Sequence, residues 1–390
     1  MDYRLIYLYL LIISAFVSIS VFEIFVVIGV IWAIYQIFKE KRLEGVLRYP
    51  VLVFSGVSVL STVLFAPKMI SKAVEEGVFQ FLYFFKTGLK RESISRLLFF
   101  MVFIGILLFP VELYKFFKTG EFVPVWGSTF ETGQFYGMFS LMALFFGFYF
   151  YYVGRKKLSF FMFFLTVFYF VILVLTHRRS PLLGYMIVGY LSFLVLYLNG
   201  YMKKILFWGA NLILTVSLIG GYIYLSKTDV RFKILNGILL GEKEFNFQNL
   251  NRISNARIGI GIDAVNIIKN DIKEGNWINL LIGHGVRSGY YLPHQYSPKS
   301  WMKYESIFVI SEFIEKGIIG LLAILTIFFI AFKRFVTTKI KDSFDIVALG
   351  LFVPLLIHLI GSVFTFFWDA LLPLYLLLFK IGEVYFGKNR

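Results

Sequence analysis

Apolar positions fall along this chain in runs of about 17 to 25 residues, the length a helix needs to cross a hydrocarbon core about 30 Å thick. Stretches such as 158–175 are apolar at nearly every position. A β-barrel strand would instead alternate in polarity. The pattern predicts an all-α polytopic membrane protein of about twelve transmembrane helices, near 5–20, 22–38, 49–66, 70–87, 96–116, 135–153, 158–175, 181–198, 205–225, 305–332, 344–362 and 366–382. The first two must be separate helices, with Glu23 near their turn, because about 35 unbroken residues would overshoot a bilayer. Residues 68–76 leave the fourth span open to being partly interfacial.

Charge then sets the orientation. Basic clusters stand at Lys39-Glu40-Lys41-Arg42, Lys90-Arg91, Arg155-Lys156-Lys157, Lys203-Lys204, Lys333-Arg334 onward to Lys341, and Lys388 to Arg390. Between successive clusters there is room for two spans each time, so both termini are expected in the cytoplasm. Three connections then face outward: 117–134, the turn Thr176-His177-Arg178-Arg179-Ser180, and a long segment from 226 to 304. The expected organisation is nine helices in 1–225, a large outer loop in 226–304 and three helices in 305–390. An insertion of that length is normally functional, since simple connections need only a few residues. There is no evident internal repeat and no inverted pair of broken helices of the kind found in secondary transporters.

Composition narrows the chemistry. Of 390 residues, 59% are hydrophobic and 16% charged, against roughly 25% charged in soluble chains. The net charge of +16 is distributed as topology signals, which removes nucleic acid as the expected partner. With no cysteine and only 4 histidines, there is no disulfide, no thiolate nucleophile and no expected metal dependence or cofactor. The first apolar stretch follows Met1-Asp2-Tyr3-Arg4 without a small-residue cleavage site and is expected to stay as a span.

The outer segment carries eleven basic residues against six acidic ones, which suits either a solvated face or an anionic ligand. An amphipathic helix is expected over roughly 251–273, its apolar face made by Ile253, Val265, Ile268 and Ile272 and weakened by Gly259 and Gly261. Arg178 and Arg179 say more. They stand in a turn of a few residues between two apolar helices, where orientation bias should have removed them. They either snorkel to lipid phosphates or form a guanidinium fork for a phosphate or pyrophosphate.

Leu175-Thr176-His177-Arg178-Arg179-Ser180 resembles the Thr-x-Ser-Arg-Ser/Thr signature of the bacterial O-antigen polymerase and O-antigen ligase superfamily, with Arg179 on the motif's arginine and Arg178 where serine is usual. Leu281-Ile282-Gly283-His284-Gly285-Val286 resembles the family's apolar-Gly-x-Gly segment. The stretch Tyr304-Glu305-Ser306 through Glu312, Glu315, Lys316 and Gly317 to Gly320 resembles its re-entry motif, with Glu305-Ser306 where the ligases carry His-Asn. Trp126-Gly127-Ser128-Thr129-Phe130-Glu131 is similar to the Gly-rich segment before the sixth span, without its Pro-Asn. Together these motifs cover roughly residues 120–330.

The resemblance implies a GT-C type membrane glycosyltransferase acting on undecaprenyl-pyrophosphate-linked oligosaccharide, donor and acceptor, at the outer face of the bacterial cytoplasmic membrane. The product would be surface polysaccharide such as the O-antigen of lipopolysaccharide, with the lipid bilayer and a chain-length regulator protein as further partners. It implies Arg179 and Arg257 as catalytic, with Arg178, Arg252, Arg287, His284, His294 and Trp126 in substrate binding. Glu305 is the expected general base, with His284 and His294 as rivals; Glu305 in place of histidine favours polymerase over ligase. A lipid-linked oligosaccharide transporter is the other alternative, and a scaffold with no chemistry a further one. Glu312 and Glu315 are expected either to act within the membrane or to pair with Lys316, and His358 to be a bonded core residue.

Overall fold

A helix satisfies every backbone N–H and C=O within one segment, which makes it the state in which such long apolar runs can leave water. The computed structural model describes residues 3–296, 307–363 and 370–388, and among them the chain is helical, with no strand. Chain order begins with α1 (Tyr3–Val17), α2 (Ile19–Glu40), α3 (Arg48–Phe65) and α4 (Ile70–Glu76), the last followed by a 3-10 stretch, Val78–Phe84. Next come α5 (Arg91–Thr119), α6 (Thr129–Tyr152), α7 (Lys156–Leu175), α8 (Arg179–Leu198) and α9 (Lys204–Thr228). An insertion holds α10 (Val230–Leu239), α11 (Phe247–Ile253), α12 (Arg257–Glu274) and α13 (Trp277–Ile282). After it follow α14 (Phe308–Val336), α15 (Ser343–Ala348), α16 (Val353–Val363) and α17 (Leu372–Lys388).

Among the described residues seven helices are long and apolar enough to cross a membrane: α2, α3, α5, α6, α7, α8 and α14. The bent pair Ser343–Leu351 and Val353–Val363, meeting at 46°, makes an eighth if it counts as one broken span. Tyr3–Val17 and the Lys204–Ile213 part of α9 are apolar but shorter. Among these seven α6 is the most enclosed, 78% of its apolar window being buried. It starts in a capping box: the Ser128 hydroxyl accepts from the Phe130 N–H at 3.2 Å, and Glu131 accepts from the Ser128 N–H. That satisfies two of the donors a helix start leaves open.

Two sequence expectations change here. The fourth span is not one helix over 70–87, because α4 stops at Gly77 and the chain goes on in the tighter 3-10 form. At Gly77 the backbones press together, and a Cβ would lie 2.8 Å from the Ala73 carbonyl and 3.0 Å from that of Ser55. The amphipathic loop helix begins at Arg257 and not at 251, since Asn255 and Ala256 take positive φ and end α11. Its buried face is Ile260, Ala264 and Ile267, which meet Ile314 of α14, while Val265 and Ile272 are exposed. Gly259 works there as a contact point: a Cβ would meet the Tyr296 carbonyl at 2.5 Å.

The insertion is fastened to the bundle by a main-chain crossing. Helix α14 bends at Gly317 (φ 63°, ψ −170°). The His284 N–H donates to the Ile314 carbonyl at 2.8 Å and the Gly285 N–H to that of Glu315 at 3.0 Å. At Gly283 a Cβ would stand 2.3 Å from the Glu315 main chain, and at Gly317 2.4 Å from that of Leu281, so both positions require glycine. The end of α3 closes the junction, with the Thr62 hydroxyl accepting from the Val286 N–H at 2.9 Å. This is the loop end of the bundle. The opposite end is marked by the Lys86–Glu40 and Arg91–Asp342 pairs, both at 2.7 Å.

Candidate functional site

The turn between α7 and α8 is tied by Thr176, whose hydroxyl donates to the Leu173 carbonyl at 2.7 Å and accepts from the Arg178 N–H at 3.4 Å. His177 takes φ 54°, an uncommon state for a residue with a side chain. Arg178 and Arg179 leave this turn toward different partners.

Arg179 turns toward the insertion. Its guanidinium donates to Asp229 at 3.1 Å and lies over the Phe232 ring, 4.8 Å from the centroid. Asp229 caps α10 by accepting from the Arg231 N–H at 2.8 Å, and it also receives the Arg231 side chain at 3.0 and 2.7 Å. Those hydrogen bonds from Arg231 hold the Asp229 carboxyl below the usual carboxylate range. Arg257, the first residue of α12, is within Coulombic reach of Arg179. Burial, and then the Arg231 charge, push the Arg257 guanidinium down. Among the described residues three guanidinium groups therefore share one neighbourhood, in which Asp229 is paired with Arg179 and Arg231, and such a concentration of positive charge attracts an anion.

Arg178 turns the other way and donates from Nε to the Thr129 hydroxyl at the start of α6. It lines a polar cleft of about 280 Å³ with Glu121, Phe122, Thr129, Thr176 and His177. The two arginines of the motif thus serve two separate places.

A second charged group is sealed at the bend of α14. Lys316 is 1% exposed and its ammonium reaches Glu312 at 3.1 Å, Glu76 at 3.3 Å and Glu315 at 3.5 Å. It also lies over the Phe54 ring at 5.2 Å. Pairing of Glu312 and Glu315 with Lys316 is the arrangement observed. Arg287 belongs here and not with Arg179: its guanidinium lies 3.7 Å from Glu76, and its N–H donates to Glu315 at 3.0 Å.

The remaining expected residues are scattered. The His284 ring pairs with Asp271 at 2.8 Å and lies 3.2 Å from Asn279, which ties α12 to the crossing. His294 meets the Gly289 carbonyl at 2.7 Å. Arg252 is exposed on α11. Trp126 donates its indole N–H to the Ala15 carbonyl at 2.9 Å and sets its ring edge-on to Phe135, so it holds the end of α1. The His358 ring is enclosed in α16 beside Gln134 and Tyr375. Glu305 lies outside the described residues. What the sequence reading did not single out is the pair Asp229 and Arg231. An acidic helix cap with an arginine two residues on, directly after a span, is the signal that could have found it.

Fold and composition define the class: a polytopic α-helical membrane protein. No protein-family model matches the chain. It is 47% identical over 380 residues to an uncharacterized protein of Aquifex aeolicus (strain VF5), an alignment that covers 96% of this chain and 95% of that one. The chain belongs to the family of that Aquifex protein.

Proposed function

We propose that the protein is a membrane glycosyltransferase of the O-antigen polymerase type, with about twelve spans and both termini in the cytoplasm. It joins undecaprenyl-pyrophosphate-linked oligosaccharide units at the outer face of the cytoplasmic membrane. The observation that carries this reading is the pairing of Arg179 and Arg231 on Asp229 with Arg257 within Coulombic reach of both arginines, groups brought from a span turn and two elements of the insertion. Glycosyl transfer from a polyprenyl pyrophosphate breaks the bond between the sugar anomeric carbon and the phosphate oxygen and leaves a pyrophosphate anion. Guanidinium groups arranged in advance stabilise that departing charge. The acceptor hydroxyl attacks the anomeric carbon and gives its proton to a base, for which the motif resemblance offers Glu305.

The test is the purified full chain in proteoliposomes with lipid-linked repeat unit, assayed with chelator present. A ladder of lengthened glycans is expected; no ladder, or one that needs added magnesium or manganese, speaks against the reading. Glu305→Gln keeps size but not basicity and should cut turnover by about two to four orders of magnitude with little change in donor binding. Near-normal turnover from Glu305→Gln beside a dead His284→Ala or His294→Ala would move the base to histidine and favour the ligase.

Transport of lipid-linked oligosaccharide draws on a different observation, the broken α14 with buried charge at its bend. Residues 318–336 are by themselves long enough to cross, which leaves Lys316 at the loop end and not at mid-membrane. Movement of labelled lipid-linked sugar across vesicles without chain growth would select the transporter.

A further inference from the structure

Adjacent residues in one turn feed two sites of different chemistry. Around Arg179 the described side chains that act on its charge are mostly positive, Arg231 and Arg257 beside Asp229. Around Arg178 the lining holds charges of both signs, Arg178 and Glu121, with the Thr129 and Thr176 hydroxyls, the His177 and Phe122 rings, Leu175 and Gly120. An anion entering this second cleft would meet Glu121 as well as Arg178 and gain little. A ring bearing hydroxyls offers donors to the carboxylate and acceptors to the guanidinium. Phe122, only 4% exposed and stacked on Phe116 at 4.4 Å, lines the cleft from within the core. Although Arg178 uses Nε on Thr129, a guanidinium has four further N–H donors. At about 280 Å³ the cleft lies just below the roughly 300 Å³ at which pockets for drug-sized ligands start, a size that fits one ring and not a chain of them.

We propose that the Arg178 cleft is a saccharide subsite, which takes an uncharged sugar unit of the acceptor molecule beside the pyrophosphate site at Arg179. The inference rests on the polymerase reading, which requires two sugar-bearing substrates side by side. Consecutive Cα atoms are about 3.8 Å apart, so a turn that sends one arginine to each site makes them share a wall. The acceptor hydroxyl is then presented next to the bond that breaks. His177 with its positive φ sets this divergence at the head of α8.

The experiment measures binding to the full chain in lipid nanodiscs by saturation-transfer NMR for one probe and calorimetry for the other. The first probe is the oligosaccharide that mild acid releases from the cell's polyprenyl-linked pool; the second is inorganic pyrophosphate. Loss of a hydrogen bond to a charged group should weaken saccharide binding about tenfold in Arg178→Gln and again in Glu121→Gln. Arg179→Gln should leave saccharide binding unchanged and weaken pyrophosphate. If saccharide binding ignores both Arg178→Gln and Glu121→Gln while pyrophosphate depends on Arg179, the subsite is wrong and the polymerase reading stands. Pyrophosphate binding that weakens in Arg178→Gln and strengthens in Glu121→Gln would make the cleft an anion site and overturn the proposal. Should neither probe bind the wild-type protein, the proposal and the polymerase reading both fall.

Discussion

The arginines around Asp229 and the carboxylates around Lys316 stand at the same end of the bundle, yet they answer charge in opposite ways. Lys316 is enclosed and meets three carboxylates of the protein itself. Among the described residues, Arg231, Arg257 and Asp229 stand within reach of Arg179, and the Arg179 side chain keeps 35% of its surface exposed. The first group holds an insertion, a bent helix and a broken crossing together. The second, among the described residues, is mostly positive and lies where an outside molecule can reach it. Charge density alone does not tell a structural cluster from a binding one; accessibility and the local balance of sign do.

Removing Lys316 should have the largest effect. Lys316→Met leaves Glu76, Glu312 and Glu315 enclosed without their shared cation, a loss of about 3–5 kcal/mol of stability. It is read as a drop in the thermal unfolding midpoint and in folded yield. Adding Glu312→Gln and Glu315→Gln should recover part of that loss; a Lys316→Met protein as stable as wild type would erase the distinction between the clusters.

Arg179→Ala should do the reverse. Stability and membrane insertion stay near wild type while glycan turnover falls by about two to three orders of magnitude, the loss typical when one stabiliser of developing charge is removed. Arg179→Lys should recover little, because an ammonium cannot give the two-pronged contact. Normal ladders from Arg179→Ala would end the assignment.

Asp229 allows a finer comparison, since among the described residues it is the carboxylate paired with Arg179 and Arg231, where an anion at the proposed site would compete. Asp229→Asn should tighten pyrophosphate binding about fivefold, the effect of roughly 1 kcal/mol from one unit charge at about 4 Å in a water-like medium. Weaker binding in this variant would mean that Asp229 serves chiefly to aim Arg231.

The smallest expected effect concerns pH. The Asp229 carboxyl is held below the ordinary range by Arg231, so its contribution is complete above the usual carboxylate pKa and is lost as pH falls through the lowered value. Comparing wild type with Asp229→Ala in thermal unfolding, a difference of about 1 kcal/mol, the size of a helix cap, should persist through mildly acidic pH. Disappearance of the difference already near pH 4, the ordinary aspartate range of about 3.9, would contradict the pairing.

What could be read in the sequence follows from how local each cause is. Span positions were legible because an apolar run is a property of consecutive residues, and α7 at Lys156–Leu175 falls on the expected 158–175. The break after Glu76 was only hinted at, because it depends on contact between Gly77 and the α3 backbone. The bend at Gly317 was hidden for a similar reason: its glycine is needed by Leu281, 36 positions away in the chain. At the site, Arg179 and Arg257 could be named from motif positions. Their partner Arg231 and the departure of Arg178 could not, since one depends on a tertiary meeting and the other on the φ of His177. Arg287 looked like a phosphate ligand next to a Gly-x-Gly segment because Glu76 is distant in sequence.

The stretch between Ala66 and Lys86 carries one more consequence. Ala66 abuts Gly285 at the loop end, while Lys86 pairs with Glu40 at the other. Between them run a 3-10 turn at Pro67–Met69, α4 and the 3-10 stretch, of 3, 7 and 7 residues, which rise about 2.0, 1.5 and 2.0 Å per residue and so give about 31 Å of contour. That is about the thickness of a hydrocarbon core, covered in three pieces and not by one helix. A lipid-facing segment broken in this way would leave backbone groups unsatisfied at each break. Here the 3-10 stretch packs against α2, α3 and α17, and neighbouring helices take the place of acyl chains. Sheathed in this way, the breaks at Ala66 and Gly77 and the looser 3-10 hydrogen bonds are kept away from hydrocarbon.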